Sequence, residues 1–342
     1  MRNSQILNED IELLARLDLW EKLSGKTLLI TGATGMLGSY LALAANEANR
    51  IRGYGIKLLL SGRNKIKANS LLNGVDCQFL FHDVREPLKI EEPIHYFLHT
   101  AGPVGPKVFE SSPVEVISAN VEGTLSLLRY AIQHNCQSFV FASTHEVYGQ
   151  VEGEQTESSP CREIDLTNPR SCYVLAKQMV ENTLVCFTKQ YGLRSVSVRF
   201  SRLYGPLMNL HSGLFVCDFL SDVLQNRPVQ VRGGLNLLRP LCYITDAAEA
   251  MLRTLATESD AEVYNVQGNE LPTIGEIAGI VSSFGGRGTK FSHPETEDCT
   301  KSGHWLNTDK LKNIGWRQKV MLPDGLRRTF DYFSEVRVKH EK

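Results

Sequence analysis

The stretch Thr31-Gly32-Ala33-Thr34-Gly35-Met36-Leu37-Gly38 decides the fold of this chain. It follows the apolar run Thr27-Leu28-Leu29-Ile30 and opens a segment rich in alanine and leucine, which predicts a glycine turn between a buried strand and a helix. A pyrophosphate needs backbone N–H groups and a helix N-terminus within hydrogen-bond distance, and a Cβ atom at Gly32 or Gly35 would obstruct that approach. Gly38 lets the helix and the strand pack closely. The turn therefore predicts a dinucleotide-binding site, with the spacing G-x-x-G-x-x-G rather than the commoner G-x-G-x-x-G.

Apolar runs of strand length alternate with segments of helical length and periodicity. Buried parallel strands read as continuous apolar runs, and helices between them cover both faces of the sheet. The pattern therefore predicts an α/β fold with a doubly wound parallel sheet of the Rossmann type. A further run near 261–267 predicts a strand that returns to the same sheet. The earlier runs lie at 27–31, 57–61, 78–82, 95–100, 137–143 and 194–200.

Three regions follow from the pattern. Residues 1–24 carry apolar side chains at helical spacing and predict an N-terminal helical cap, which either covers the sheet or contacts another subunit. Residues 25–200, together with the returning strand, form the predicted dinucleotide-binding domain. Residues 201–342 are less regular and predict a smaller, interleaved and mainly substrate-binding region that closes a cleft. The long polar loop 150–170 joins a strand to the next helix, and such loops often carry function.

Composition excludes several classes of protein. The chain has 342 residues, 42% hydrophobic and 22% charged, with a formal net charge of −1. That balance gives no long-range field to attract nucleic acid or an anionic membrane, and no apolar stretch has the length of a membrane span. The cysteines are scattered, without C-x-x-C or metal-ligand spacing, and predict reduced packing thiols in a cytoplasmic protein without a metal site. They are Cys77, Cys136, Cys161, Cys172, Cys186, Cys217, Cys242 and Cys299.

Tyr173 and Lys177 lie four residues apart in a stretch of good helix formers, so their side chains share one helix face. A lysine ammonium beside a phenol stabilises the phenolate, and a nicotinamide cation adds to this effect. We therefore expect the pKa of Tyr173 to fall towards physiological pH and Tyr173 to act as a base. Among the tyrosines of the chain, only Tyr173 has a lysine four residues later.

Polar side chains also follow the apolar run Phe139-Val140-Phe141-Ala142. They emerge at the carboxyl end of a strand, which is where ligands bind in a doubly wound sheet. A hydroxyl here can share a proton with Tyr173, and Glu146 can serve as a general acid or base. His145 is either a loop residue or part of the site.

These residues resemble the extended short-chain dehydrogenase/reductase family, specifically its nucleotide-sugar epimerases, dehydratases and decarboxylases. The resemblance covers residues 25 to about 333 and is closest in motif to UDP-glucuronate decarboxylases. It rests on TGATGMLG, HDV (82–84), HTAG (99–102), NVEGT (120–124), ASTHEVYG (142–149), PRSCYVLAK (169–177), RLYGP (202–206) and LRPLCYITD (238–246).

The resemblance implies a Rossmann-fold enzyme, commonly a homodimer, that uses NAD or NADP on a nucleotide sugar. It implies that Thr144, Glu146, Tyr173 and Lys177 are catalytic. Arg239 would hold the diphosphate of the substrate, because a guanidinium fork suits that group. Asp83 would contact the adenine and Ala101 would line the cofactor. The implied cofactor-binding set is Gly32, Thr34, Gly35, Met36, Leu37, Arg63, Asp83, Val84, Ala101, Tyr173 and Lys177.

Two departures from the family pattern bear on the ligands. NAD-binding members usually have an acidic residue at the end of the second strand, whereas this chain has Ser61-Gly62-Arg63-Asn64. An arginine there accommodates a 2′-phosphate, so NADP is an alternative to NAD. Arg202 replaces an asparagine that family members commonly carry near the sugar nucleotide. Its guanidinium would bind a carboxylate or a phosphate of the substrate, or pair with a nearby acidic residue.

The implied reaction begins with Tyr173 taking the proton of a sugar hydroxyl, usually at C4, while hydride leaves that carbon. The resulting 4-keto sugar then loses carbon dioxide, loses water or is re-reduced as an epimer. We favour decarboxylation over epimerisation and dehydration. A non-catalytic dinucleotide sensor or scaffold is the alternative of another class, although such a protein would not need tyrosine, lysine and threonine in register.

Overall fold

The computed structural model of the protein describes residues 4–258, 260–285, 287–291 and 301–340. Its strands are β1 (Thr27–Thr31), β2 (Lys57–Gly62), β3 (Gln78–Phe81), β4 (Tyr96–His99), β5 (Ser138–Thr144), β6 (Gly153–Gln155), β7 (Ser195–Phe200), β8 (Arg202–Tyr204), β9 (Val229–Val231), β10 (Leu241–Tyr243), β11 (Glu262–Val266), β12 (Thr289–Phe291) and β13 (His304–Leu306).

The α-helices are α1 (Gln5–Ala15), α2 (Met36–Arg52), α3 (Lys65–Leu71), α4 (Pro106–Ser111), α5 (Pro113–Gln133), α6 (Cys172–Tyr191), α7 (Phe215–Leu224), α8 (Ile244–Ala256), α9 (Ile274–Ser282), α10 (Asp309–Asn313) and α11 (Leu322–His340). Three short 3-10 helices span Asp18–Leu23, His145–Tyr148 and Pro169–Ser171.

Seven parallel strands form the central sheet in the order β11-β7-β5-β4-β1-β2-β3. The chain runs outward from β1 to β3, crosses over to β4 on the other side of β1, and then continues outward in the opposite direction. Ligands of such sheets bind at the point where the strand order reverses, which here lies beyond the carboxyl ends of β1 and β4. The predicted doubly wound parallel sheet is confirmed, and the run near 261–267 returns to it as β11 beside β7.

The strands are buried because the sheet is covered on both faces. All five residues of β1 and all six of β7 are buried, and a buried polar residue of β7 such as Arg199 is paired inside the protein, with Glu181 of α6. Helix α2 ends at Gly53, whose φ of 66° is left-handed and suits a residue without a Cβ atom. The same device ends α6 at Gly192.

The region after β7 contributes short parallel strand pairs rather than a second large sheet. Strand β8 pairs with β10 and β9 pairs with β12. Strand β6, which lies inside the polar segment predicted as a loop, pairs with β13 from near the C-terminus. This pairing brings a distant segment of the chain next to the carboxyl end of β5.

The N-terminal segment packs on its own chain. Helix α1 contacts α2, α8 and α11 and buries Leu7, Ile11 and Leu14. The predicted helical spacing does not continue as one helix, because Trp20 belongs to the 3-10 helix Asp18–Leu23. Its indole N–H donates to the carbonyl of Leu14 at 2.9 Å, so the short second helix folds back under the first.

The cysteines that the structure describes are all free thiols, and Cys299 lies outside the described residues. Cys136, Cys172, Cys217 and Cys242 are buried, in agreement with packing roles. Within the described ranges, every helix is too short or too polar to cross a lipid bilayer. The same ranges hold no cluster of three or more histidine, cysteine, aspartate or glutamate side chains placed to bind a metal ion.

A buried carboxylate fastens α1 to the rest of the fold. Asp10, 4% exposed, accepts hydrogen bonds from the hydroxyls of Tyr40 and Tyr243, both at 2.8 Å, and from Arg328 at 2.7 Å. We expect Asp10→Ala to lower the free energy of unfolding by about 2–4 kcal/mol, because it strands a cation and two buried hydroxyls. Urea denaturation measures the loss. Glu9→Ala is the matched control, since Glu9 binds the same Arg328 at 3.1 Å from an exposed position and should cost less than about 1 kcal/mol. Equal losses in the two variants would contradict this account.

Candidate active site

The glycine turn lies at the reversal point of the sheet and leaves room for a phosphate group. Gly32 has a φ of +68°, and a Cβ atom there would come within 2.8 Å of the Ala101 backbone. A Cβ at Gly38 would lie 2.4 Å from the Gly32 carbonyl oxygen, which explains the close packing of helix and strand. At Gly35, the residue before α2, a Cβ would meet only that carbonyl, at 3.1 Å, and otherwise point into open space. The free N–H groups at the start of α2 face this space, which therefore fits a pyrophosphate.

A cleft beside this turn gathers most of the predicted cofactor-binding residues. Met36 and Leu37 do not line it and instead form the first turn of α2, where Leu37 packs into the core. Tyr173 and Lys177 lie outside this cleft, beyond the end of β5. The predicted residues that line the cleft are Gly32, Thr34, Gly35, Arg63, Asp83, Val84 and Ala101.

The far end of this cleft is cationic. Asp83, which the resemblance places against the adenine, is bound by Arg85 at 2.7 Å and by Arg63 at 3.4 Å. The hydrogen bonds from Arg85 hold the pKa of this carboxyl far below its usual range. Lys67 also lines this end, and the buried hydroxyl of Ser61 has no hydrogen-bond partner among the described residues. Lys67 was not predicted to line the cofactor site, although it lies in the first turn of α3, shortly after Arg63.

Tyr173 and Lys177 lie on one buried face of α6, as predicted. The Lys177 ammonium donates to the carbonyl of Ala142 in β5 at 2.7 Å and lies 4.2 Å from the centre of the Phe141 ring. The Tyr173 ring stacks on Phe109 of α4, with ring centres 4.5 Å apart. Strand β5 and helix α4 thus fix the two side chains from opposite sides. Phe109 was missed because nothing in its local sequence marks it.

The ionisation of Tyr173 differs from the sequence-based expectation. Burial raises its pKa well above the usual value, the charge of Glu146 raises it further, and a hydrogen bond with Thr144 and the charge of Arg170 oppose them. The expected decrease in pKa is therefore not produced by the chain's own groups, because the expectation counted the lysine charge and not the burial. Burial also lowers the pKa of Lys177 to about 7, although the charge of Glu181 opposes the shift.

Thr144 and Glu146 flank the tyrosine at the end of β5. The Thr144 hydroxyl accepts the backbone N–H of Glu146 at 3.3 Å and so caps the short helix His145–Tyr148. The Glu146 carboxylate pairs with Arg170 at 3.0 Å, and the Arg170 guanidinium lies 4.5 Å from the Phe109 ring centre. Arg170 precedes α6 in the PRSCYVLAK motif and holds Glu146 beside Tyr173. The sequence analysis quoted this arginine only within that motif and gave it no role.

A second group of side chains faces the same region from the C-terminal part of the chain. His145 is buried, and its Nδ1 lies 2.9 Å from Nε2 of His304 in β13. Burial and the charges of Arg202 and Arg239 lower the pKa of His304 to about 4. The same causes lower the pKa of His145, so that both rings are neutral at pH 7. The structure thus makes His145 part of this group, and His304 is a neighbour that no local signal revealed.

A polar network supports the end of β5 from behind. Glu181 of α6 accepts a hydrogen bond from Ser143 at 2.5 Å and pairs with Arg199 of β7 at 2.6 Å. Both charged groups are about 10% exposed, so the ion pair lies in the protein interior. It links the helix that carries Lys177 to two strands of the sheet. The network fixes the distance between that helix and the strand ends.

The reversal-point glycine turn and the buried tyrosine–lysine pair define a class of protein. A parallel sheet of this order, with both features at one edge, is a doubly wound, dinucleotide-binding fold of the Rossmann type. The chain belongs to the NAD dependent epimerase/dehydratase family, whose model matches residues 28–266. The predicted family and the need for a nicotinamide dinucleotide are thereby confirmed.

Curated relatives match most of the chain. UDP-glucuronic acid decarboxylase 1 of Danio rerio is 26% identical over 314 residues, which cover 90% of this chain and 73% of that protein. UDP-glucuronic acid decarboxylase 3 of Arabidopsis thaliana is 28% identical over 302 residues, which cover 87% of this chain and 86% of that protein.

Solved structures show the same fold. A UDP-glucose 4-epimerase of Thermotoga maritima, solved with UDP-glucose, has a TM-score of 0.78 at 22% identity and covers 91% of this chain and 99% of its own. A dTDP-glucose 4,6-dehydratase of Bacillus anthracis, solved with NAD, has a TM-score of 0.76 at 20% identity, with coverages of 91% and 97%. These identities are low, and the likeness establishes the fold alone.

We expect Gly35→Val to abolish dinucleotide binding in a folded protein, because the side chain fills the space in front of the α2 N-terminus. Titration of the variant with NAD and NADP measures the loss, and circular dichroism checks the fold. Gly279→Val is the control, since this glycine of α9 lies outside the cleft, has no left-handed φ, and a Cβ there meets nothing within 4 Å. Wild-type affinity in a folded Gly35→Val protein would contradict the assignment.

Proposed function

We propose that this protein oxidises a nucleotide sugar at C4 and then decarboxylates it, as a UDP-glucuronate-type decarboxylase. The observation that carries the proposal is the grouping of Thr144, Tyr173 and Lys177 at the end of β5, next to Glu146 held by Arg170. The names of the relatives support the substrate class and favour decarboxylation. A 4-epimerase and a 4,6-dehydratase remain alternatives, because proteins of both kinds share this fold.

Tyr173 is the proposed base. It removes the proton of the C4 hydroxyl, and the Thr144 hydroxyl stabilises the phenolate by a hydrogen bond. Because burial opposes the phenolate, Tyr173 depends on positive charge from Lys177, which β5 holds on the same helix face. When bound, an oxidised nicotinamide would supply a reversible hydride acceptor for C4 and a positive charge beside the phenol.

The fate of the 4-keto sugar depends on its C5 substituent. A carboxylate at C5 is β to the new ketone, so the bond between C5 and the carboxyl carbon breaks, carbon dioxide leaves, and the electron pair forms an enolate that is protonated at C5. A base that removes the C5 proton would instead start the loss of water, and Glu146 is the candidate for that role. Arg239 would hold the diphosphate in either case.

One experiment separates these outcomes. The purified protein is incubated with NAD or NADP and a panel of UDP-, GDP-, CDP- and dTDP-sugars, including uronates, and product masses are read. Loss of carbon dioxide supports the proposal. Loss of water or an unchanged mass with a new epimer supports one of the alternatives. A protein that binds a dinucleotide and turns over no sugar would favour the sensor or scaffold.

We expect Tyr173→Phe to lower turnover by roughly 10²–10⁴-fold while cofactor binding and folding remain, because it removes the base. Lys177→Met should be at least as harmful, and Thr144→Ala should cost less. Tyr191→Phe is the matched control, since Tyr191 ends the same helix at an exposed position. If Tyr173→Phe keeps near wild-type turnover, Tyr173 is not the base and the reaction takes place at other residues.

We further propose that NADP binds at least as well as NAD. The support is the cationic end of the cleft, where Arg63 and Lys67 stand beside the unpartnered Ser61 hydroxyl. We expect Arg63→Ala to weaken the binding of NADP, but not of NAD, by roughly tenfold. This is the effect of losing one charge-assisted contact to a phosphate. Calorimetric titration with both dinucleotides measures it, with Lys65→Ala as an exposed control outside the cleft. A strong NAD preference that Arg63→Ala leaves unchanged would refute the proposal.

We also propose that the protein is a homodimer and that it is located in the cytoplasm. Helices α5 and α6 pack on each other and expose the apolar side chains of Ile117, Met179 and Val185. Such a surface suits a second copy of the chain, and sedimentation that reports a monomer at micromolar concentration would contradict it. The free thiols of the described cysteines fit a reducing compartment.

A further inference from the structure

Two arginines come together at the substrate side of the site. Strands β8 and β10 pair in parallel with Arg202 opposite Leu241, and Arg239 lies two residues before Leu241. The pairing therefore places both guanidinium groups at the same edge. Arg239 donates to the carbonyl of Leu238 at 2.9 Å, whereas the guanidinium of Arg202 makes no hydrogen bond or ion pair within the described part of the chain.

The surroundings of Arg202 contain little negative charge. Burial lowers its pKa to about 10, the charge of Arg239 contributes, and Glu146 opposes them. Glu146 is already paired with Arg170 at 3.0 Å. A partly buried cation beside a second cation is unfavourable unless an anion offsets it. The arrangement is that of a site for an anionic ligand.

The two histidines in contact with this region do not supply the missing negative charge. The charge of Arg202 acts on both His145 and His304, which places the rings close to the guanidinium. The rings bond to each other at 2.9 Å and are neutral at pH 7. The two neutral rings therefore lie beside the guanidinium without offsetting its charge.

Arg202 and Arg239 differ in their relation to the base. Strand β7 pairs with β5 so that Phe200 lies opposite Thr144, and Arg202 follows Phe200 by two residues at the sheet edge that also carries Glu146. Arg239 precedes β10, which pairs with β8 in a separate two-stranded sheet. Arg202 is therefore the arginine on the side of the reacting sugar, and Arg239 is farther from it.

We propose that Arg202 is a specificity-determining residue that binds a carboxylate on the sugar of the substrate, while Arg239 binds the diphosphate. The inference rests on the proposed function, since it assumes that a nucleotide sugar binds beside these two arginines. A guanidinium fork matches a carboxylate with two parallel hydrogen bonds. A neutral hexose would leave Arg202 buried without its anion, so the site favours uronates over neutral sugars.

Binding of matched ligands tests the role of Arg202. Wild type, Arg202→Asn and Arg202→Lys are titrated with UDP-glucuronate, UDP-glucose and UDP, with reduced dinucleotide present so that no sugar is oxidised. If the panel of nucleotide sugars identifies another base, the uronate, the hexose and the free diphosphate of that base are used. Arg129→Asn, an exposed arginine of α5, is the control.

We expect Arg202→Asn to weaken the binding of the uronate by roughly 10- to 100-fold. The affinities for the hexose and the free diphosphate should change by less than about threefold. Arg202→Lys should lose less of the uronate affinity, because it keeps the charge and loses the fork. Equal losses for all three ligands would assign Arg202 to the diphosphate and overturn the inference.

Two further outcomes keep the inference separate from the proposed function. If Arg202→Asn does not fold, the inference is tested with Arg202→Lys and with the preference of the wild type for uronate over hexose. A wild-type preference below about threefold overturns the inference. Hexose binding with turnover and no uronate preference refutes the role of Arg202 and leaves a nucleotide-sugar enzyme. A protein that binds no nucleotide sugar refutes the proposed function, and the inference falls with it.

Discussion

The buried ammonium of Lys177 is the group around which the site is built. It lies in the interior, where a charge is costly unless polar groups surround it. The Ala142 carbonyl accepts its hydrogen bond, the Phe141 ring lies below it, and Glu181 favours its charged form. Glu181 in turn is fixed by Ser143 and Arg199. The position of one cation thus depends on β5, β7 and α6 together, and a shift of any of them would move the ammonium relative to Tyr173.

The topology of the sheet explains why the two halves of the site meet. The glycine turn follows β1 and the Thr144–Glu146 segment follows β5, with β4 alone between the two strands. Since parallel strands all end at one edge, both polar segments lie at the same edge of the sheet. The segment after β7 adds Arg202 through β8, and β13 adds His304 through β6. A dinucleotide over the first strands therefore has its reactive end beside residues from the later ones.

Local sequence patterns were enough to predict the parts of the site whose residues are close together in the sequence. The seven strands of the sheet, the glycine turn and the shared face of Tyr173 and Lys177 follow from periodicity and spacing, and the structure has them. The stacking of Phe109 and the contact of His304 with His145 join distant segments, and no local pattern encodes such pairs. The expectation for the pKa of Tyr173 left out the burial of its side chain, because burial is a property of the assembled fold.

The balance of charge in the cleft bears on how an anionic substrate is recognised. The whole chain carries a formal charge of only −1, so long-range attraction contributes little. Within the site, the pairing of Glu146 with Arg170 cancels one charge of each sign, while Arg202 and Arg239 keep theirs. A substrate with two anionic groups at different places would meet one guanidinium at each. Binding energy from these remote groups can then hold the reacting carbon against Tyr173, and a ligand lacking either group would lose position as well as affinity.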